Sequence, residues 1–170
     1  MDPQARLLKE TFGIAHMVFN AVTGDMTDEQ CTFEVGGTVP RAAAIFAHAV
    51  FGEDMIVNQM VRGGETVLER GGFMARTGIA KPSPAITPEF LAMTFDLAGL
   101  REYATAVFAE TDRFLDSATA AELDREIDTP LGTKMPAGAA MGAFGVVHVS
   151  EHAGEISALK GAQGARGLPF

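Results

Sequence analysis

Apolar side chains recur at steps of three and four along four long stretches of this chain, separated by breaks rich in glycine and proline. In the first stretch Leu8, Phe12, Ala15, Phe19 and Val22 share a face, which predicts a helix over Pro3–Thr23 that Gly24 stops. The polar run GDMTDEQ reads as a connection, followed by CTFEV and the paired Gly36–Gly37. Thr38 then offers an N-cap and Pro40 suits a first turn. A second helix is expected from there to about Val61, with Ile45, His48, Phe51, Met55 and Gln59 on one stripe. A third is expected from Asp96 as N-cap, burying Leu97, Leu100, Ala104, Val107, Phe108, Thr111, Phe114 and Leu115. Thr119 and Glu122 match a capping box for a further turn or two. After the break DTPLGTKMP, a fourth helix is expected from about Ala137 to Lys160, where GAQGARGLPF ends it.

Between helices two and three lies RGGETVLERGGFMARTGIAKPSPAITP, which has no long periodicity; TPEF within its end could start a short helix. A connection of that length usually carries function or crosses between distant helices. No segment alternates as a strand would. The pattern therefore predicts an all-α four-helix bundle with a long crossover between helices two and three, as one domain over residues 1–170. At 170 residues and 47% hydrophobic content a real core is affordable, with roughly 70% of the unfolded surface buried.

Charge narrows the partners. Lys+Arg 13 against Asp+Glu 22 leaves −9, with no basic run, so nucleic acid and anionic membrane surfaces are disfavoured. The opening MDPQARLLKETFG lacks the apolar core of a signal peptide, and no apolar run approaches the ~20 residues of a spanning helix, so a cytoplasmic protein is expected. Cys31 is the single cysteine: it allows no internal disulfide or thiolate zinc cluster, and it fits a reducing compartment.

The chemistry lies with the four histidines, His16, His48, His148 and His152. His148 and His152 are one helical turn apart and leave the same face, where two imidazoles can close on one ion. Glu151 and Glu155 share that stripe, while Val149, Ala153 and Ile156 lie to one side and Ser150 and Gly154 point away. His48 sits in the middle of an otherwise apolar stripe through Ala44, Ile45, Phe51, Gly52 and Met55, and needs a partner there. The candidate site is thus His48, His148 and His152 holding a metal with one coordination position open, a catalytic rather than structural pattern. Glu151 and Glu155 are the candidates for orienting an imidazole or moving a proton. The competing reading is a surface pair plus a core histidine satisfied by a carbonyl.

HVSEH also spells H-x-x-E-H, an inverted zinc-peptidase motif. Only eighteen residues follow His152, too few to bring a downstream ligand, so that assignment is rejected. His16, near Phe12 and Phe19, could edge the cavity but is expected to be an ordinary helix-surface or hydrogen-bonded histidine, and the nine methionines core filler. Gly63–Gly64 and Gly71–Gly72 lack the strand-then-helix context of a phosphate loop. Phe73, Met74 and Arg76 are candidates for a lid, with Arg76 meeting a substrate carboxylate.

The chain resembles the DinB/YfiT-like family of small four-helix metalloproteins. The resemblance rests on a helix-two histidine followed by an acidic pair (His48, Glu53, Asp54), on HVSEHAGEISALKG, and on LREYATAVFAETDRFL and the tail GAQGARGLPF. It implies a bundle with an unusual order of helix packing and a divalent metal on His48, His148 and His152, zinc or nickel first and iron next. It implies a homodimer, and activity with a low-molecular-weight thiol, as in mycothiol or bacillithiol S-transferases and a mycothiol-dependent isomerase. Glu53 lies about 140° from His48 on the helical wheel, so it is expected to hold neighbouring helices instead of the ion. The leading expectation is a metal-dependent enzyme that activates a thiol toward a small-molecule electrophile. The alternatives are a hydrolase using metal-bound water, and a non-catalytic dimeric metal-binding stress-response protein.

Overall fold

A computed structural model describes residues 1–168. The chain begins with α1 (Pro3–Thr23), where the Asp2 carboxylate accepts from the N–H groups of Gln4 and Ala5 and Pro3 occupies the first turn. A short α2 (Asp28–Thr32) follows in the stretch expected to be a polar connection; its start is a capping box between Thr27 and Gln30. The second long helix is α3 (Ala42–Asp54), which runs on as a π-helical stretch over Met55–Val61. It starts later than the expected Thr38 cap. Pro40 disfavours the helical region for Val39, and the chain stays irregular until Arg41, whose guanidinium donates to the Leu91 carbonyl at 2.7 Å.

Next come α4 (Val67–Arg70), α5 (Phe73–Thr77) and α6 (Pro88–Leu91), the last at the expected TPEF. The third long helix, α7 (Leu97–Ser117), is capped by Asp96 through the Gly99 N–H, and α8 (Ala120–Asp124) by the expected Thr119–Glu122 box. A small antiparallel hairpin, β1 (Glu126–Asp128) with β2 (Lys134–Pro136), pairs Ile127 with Met135. No strand was expected there, since three residues per strand are too few to show an alternation. The final rod joins α9 (Ala137–Met141), a π-helical stretch (Gly142–Val147) and α10 (His148–Ala162) without interruption. The last two residues of the tail GAQGARGLPF lie outside the described residues.

In the bundle, α3 packs between α10 and α7, and α1 packs against the same two helices from the other side. The first and second long helices therefore face each other across a diagonal, as do the third and fourth. The crossings are made by the shorter links, residues 24–41 and 118–136. The long connection, residues 62–96, joins neighbours instead. It is long because it adds core: α4 and α5 lie on α7, and Val67, Leu68, Phe73, Ile79 and Phe90 are buried.

Every residue of α3 is buried, which explains why its hydrophobic pattern is nearly continuous. That burial includes two adjacent carboxylates. Asp54 accepts from the N–H groups of Val67 and Leu68 at 2.9 Å, from Asn58 at 2.9 Å and from the Tyr103 hydroxyl at 2.6 Å. It anchors the long connection to the bundle. At the other end, the buried Lys160 ammonium donates to the Val22 carbonyl at 2.9 Å and pairs with Asp25, tying the end of α10 to the end of α1.

Candidate metal centre

His48 comes from the middle of α3, and His148 and His152 from the first two turns of α10, across the closest helix pair of the bundle. The three rings meet. His148 Nε2 lies 3.1 Å from His48 Nε2 and 3.1 Å from His152 Nε2. One nitrogen from each ring falls within 4.8 Å of the other two. His48 is buried, with only 8% of its surface exposed, while His148 and His152 are partly covered.

Close approach of the two helices depends on Gly52, one turn after His48. A Cβ at Gly52 would stand 2.5 Å from Cε1 and 2.9 Å from Nδ1 of His148, so the ring occupies the space a side chain would need. Gly52 was visible on the His48 stripe, but nothing in the sequence gave it this role.

The electrostatics are strained without a cation. Burial, with the neighbouring His152 as a second cause, lowers His48 to about 4. Burial, then His152 and His48, lowers His148 to about 3. Both rings are neutral at pH 7, and each carries one N–H and one in-plane lone pair. His148 Nε2 is shared between two neighbouring nitrogens, yet it can serve only one of them well as donor or as acceptor. Meanwhile Nδ1 of His48 and Nδ1 of His148 are buried with no hydrogen-bond partner among the described residues. A positive ion between the rings would take the lone pair of each Nε2 and so relieve the crowding at His148 Nε2, with the proton of each ring on Nδ1. Around a tetrahedral ion bound at ~2.0–2.1 Å, imidazole nitrogens stand roughly 3.3 Å apart. The two 3.1 Å separations here are close to that value. The residues could hold a metal.

The two acidic candidates part company. Glu155 Oε2 accepts from His152 Nδ1 at 2.6 Å, the contact that fixes a ligand imidazole with its Nε2 lone pair pointing inward. Glu151 is exposed and makes no hydrogen bond to the three rings. His16 is not in the cluster. Its Nε2 lies 3.0 and 2.9 Å from the two Glu53 oxygens and its ring stacks on Phe108 at 3.7 Å. Thr111 donates to the same carboxylate at 2.6 Å, so Glu53 joins α1, α3 and α7, in the bracing role expected of it.

Arg76 does not serve the site: it pairs with Glu102 and lies over the Phe73 ring, whose side chain fills core instead of forming a lid. Burial pushes the Cys31 thiol up to about 11, which removes it as a nucleophile. Beside the triad, His48 and His148 open onto a cavity of about 220 Å³ walled by Met55 and Phe144 and by the tips of two loops, at Pro84 and Pro130–Leu131. The hairpin's part in it left no mark in the residue pattern.

No helix among the described residues is long and apolar enough to cross a membrane. No curated protein is significantly similar to the chain in sequence. A crystal structure described as the conserved protein of a locus from Enterococcus faecalis has a similar fold. It shares 17% identity at a TM-score of 0.79, over 94% of this chain and 96% of its own. The sequence profile of the DinB superfamily matches residues 11–156, a span that takes in all three clustered histidines. The chain belongs to the DinB superfamily.

Proposed function

We propose that the protein is a divalent-metal-dependent enzyme acting on a small-molecule thiol, with His48, His148 and His152 as the ligands. The convergence of three imidazole nitrogens in a half-buried position beside a cavity carries this reading. A divalent ion bound there supplies Lewis acidity, which lowers the pKa of a coordinated thiol enough to make it a nucleophile near neutral pH. Zinc and nickel suit an all-imidazole set, and iron follows.

The chain's own groups do the positioning. Glu155 holds the tautomer of His152, Gly52 leaves room for the His148 ring, and burial keeps His48 neutral so that its lone pair is available. The cavity gives a path to His48 and His148 between Met55, Phe144 and the two loop tips. One observation favours a thiol over water as the nucleophile. Glu155 is the carboxylate that touches the triad, and it is engaged with His152. Hydrolysis gains from a positioned general base, whereas a metal-bound thiol can lose its proton to solvent without one.

The test starts with elemental analysis of protein purified without a metal column, alongside His48→Ala. One ion per chain in the wild type and a loss in the variant are expected; stoichiometry well below one would end the reading. Metal-loaded protein is then offered an electrophile with and without a small thiol. Turnover that needs no thiol would favour the hydrolase. A His148→Ala protein that melts earlier while the wild type turns over nothing would favour the purely structural metal.

A further inference from the structure

The walls of the cavity point to the chemical class of what it receives. Burial falls in steps from the triad outward: His48 is buried, Met55 and Phe144 are half-buried, and Pro84, Pro130 and Leu131 are exposed. Leu131, at the tip of the hairpin, leaves 75% of its surface in solvent. A leucine so exposed is uninformative when it stands alone. Here it stands on the lip of a cavity next to two prolines that come from separate loops. Apart from the two imidazoles, the side chains lining the cavity among the described residues are apolar and uncharged. A carboxylate or an ammonium held in the inner part, beside Met55 and Phe144, would lose water and find no partner, at a cost of several kcal/mol for an unpaired ion. A hydrocarbon group would instead cover Leu131, Met55 and Phe144 and be rewarded for it. Size agrees, since an apolar cavity of about 150 Å³ takes benzene and this one measures about 220 Å³.

We propose that the cavity is the binding site for an uncharged hydrocarbon group about the size of one aromatic ring, and that Leu131 on the β1–β2 turn selects for it. This rests on the reading that the triad holds a metal able to take a thiol, so that the sulfur lies at the histidines and the hydrocarbon group lies along the cavity. Thiols that place a charge beside Met55 and Phe144, within a few bonds of the sulfur, are excluded.

Protein loaded with Co²⁺ tests this by equilibrium binding, because thiolate coordination gives a charge-transfer band that needs no turnover. The probes are benzyl mercaptan, 2-mercaptoethanesulfonate, whose charge falls in the inner part of the cavity, and 2-mercaptoethanol. Benzyl mercaptan should bind at least tenfold more tightly than the sulfonate. Leu131→Asp should weaken benzyl mercaptan about tenfold and leave 2-mercaptoethanol unchanged. Leu131→Met, which keeps an apolar lip, should retain the preference. Equal binding of benzyl mercaptan and the sulfonate, or no effect of Leu131→Asp, with a normal band from 2-mercaptoethanol, overturns this proposal and leaves the metal reading standing. Failure to take up Co²⁺, or a band from none of the thiols, overturns both.

Discussion

Replacing Gly52 by alanine disturbs the site without removing a ligand. The new methyl would meet His148 Cε1 at 2.5 Å and Nδ1 at 2.9 Å, so the ring must shift. It has room to do so, because it borders the cavity. Fold stability should therefore change little: alanine gains about 1 kcal/mol over glycine inside a helix, against about 1–3 kcal/mol for crowding. Metal binding should change far more, since a displaced nitrogen no longer converges with the other two. With Zn²⁺ at about 1,000 times Kd the wild type gains about 4 kcal/mol. At roughly 2–4 °C per kcal/mol for a chain of this size, Tm rises by about 8–16 °C. A hundredfold loss of affinity would leave Gly52→Ala about 1.4 kcal/mol, or roughly 3–6 °C. Melts followed by circular dichroism, after chelation and again with Zn²⁺, measure both quantities. A variant whose zinc-induced shift equals that of the wild type would refute the reasoning, because His148 would then need no support from Gly52 to hold an ion.

Glu155→Gln removes the charged acceptor on His152, and titration with Zn²⁺ should show a 10–100-fold loss of affinity with no change in the melt of the metal-free protein. Asp54→Ala leaves the N–H groups of Val67 and Leu68 and the Tyr103 hydroxyl without their acceptor. At about 1–3 kcal/mol for each buried orphan, urea unfolding should show a loss above about 3 kcal/mol. In the metal-free protein, burial holds His48 near 4 and His148 near 3, against 6.5 for the free side chain. Below pH 6.5 the unfolded chain then binds more protons than the folded one, so this part of the stability is present above 6.5 and drains away as pH falls toward 4 and 3. The urea midpoint of His148→Ala should decline less steeply than that of the wild type between pH 6.5 and 4; parallel curves would contradict the assignment.

The long helices were legible because each carries a signal that survives without its neighbours. α1 and α7 show an apolar stripe on a polar rod, begun by Asp2 and Asp96. The start of α3 was misplaced because a helix buried on every side has no polar face to mark its phase, and Thr38 looks like a cap in isolation. The hairpin was missed for want of length, since three residues per strand hold too little pattern to read; α2 was missed although Thr27 and Gln30 spell the same kind of capping box that marked α8. The π-helical stretches at Met55–Val61 and Gly142–Val147 gave no signal, though the second leads directly into His148 and so sets how α10 presents its rings. Of the site, the histidines were visible through spacing and through the misfit of His48 in an apolar stripe. The cavity was not, because its lip is built from residues far apart in sequence, Pro84 and Leu131.

His48, Gly52, Glu53 and Asp54 fall within two turns of one helix, and they face three different parts of the molecule, His48 and Gly52 sharing one side. Successive residues on a helix turn by about 100°, so Glu53 and Asp54 cannot share a partner. Glu53 reaches His16 and Thr111, while Asp54 reaches Tyr103 and the start of α4. That leaves the remaining side of α3 for α10, where Gly52 allows the contact to be close and His48 completes the triad. Two buried carboxylates are a costly way to stabilise a core, and apolar packing of the same volume often serves as well. What charged hydrogen bonds add is direction: they fix where a helix sits and how it is rotated. A triad drawn from two helices needs that, because the imidazole from α3 meets the pair on α10 only at one rotation of α3. The acidic pair therefore belongs to the site in a mechanical sense, although neither carboxylate touches the histidines that converge.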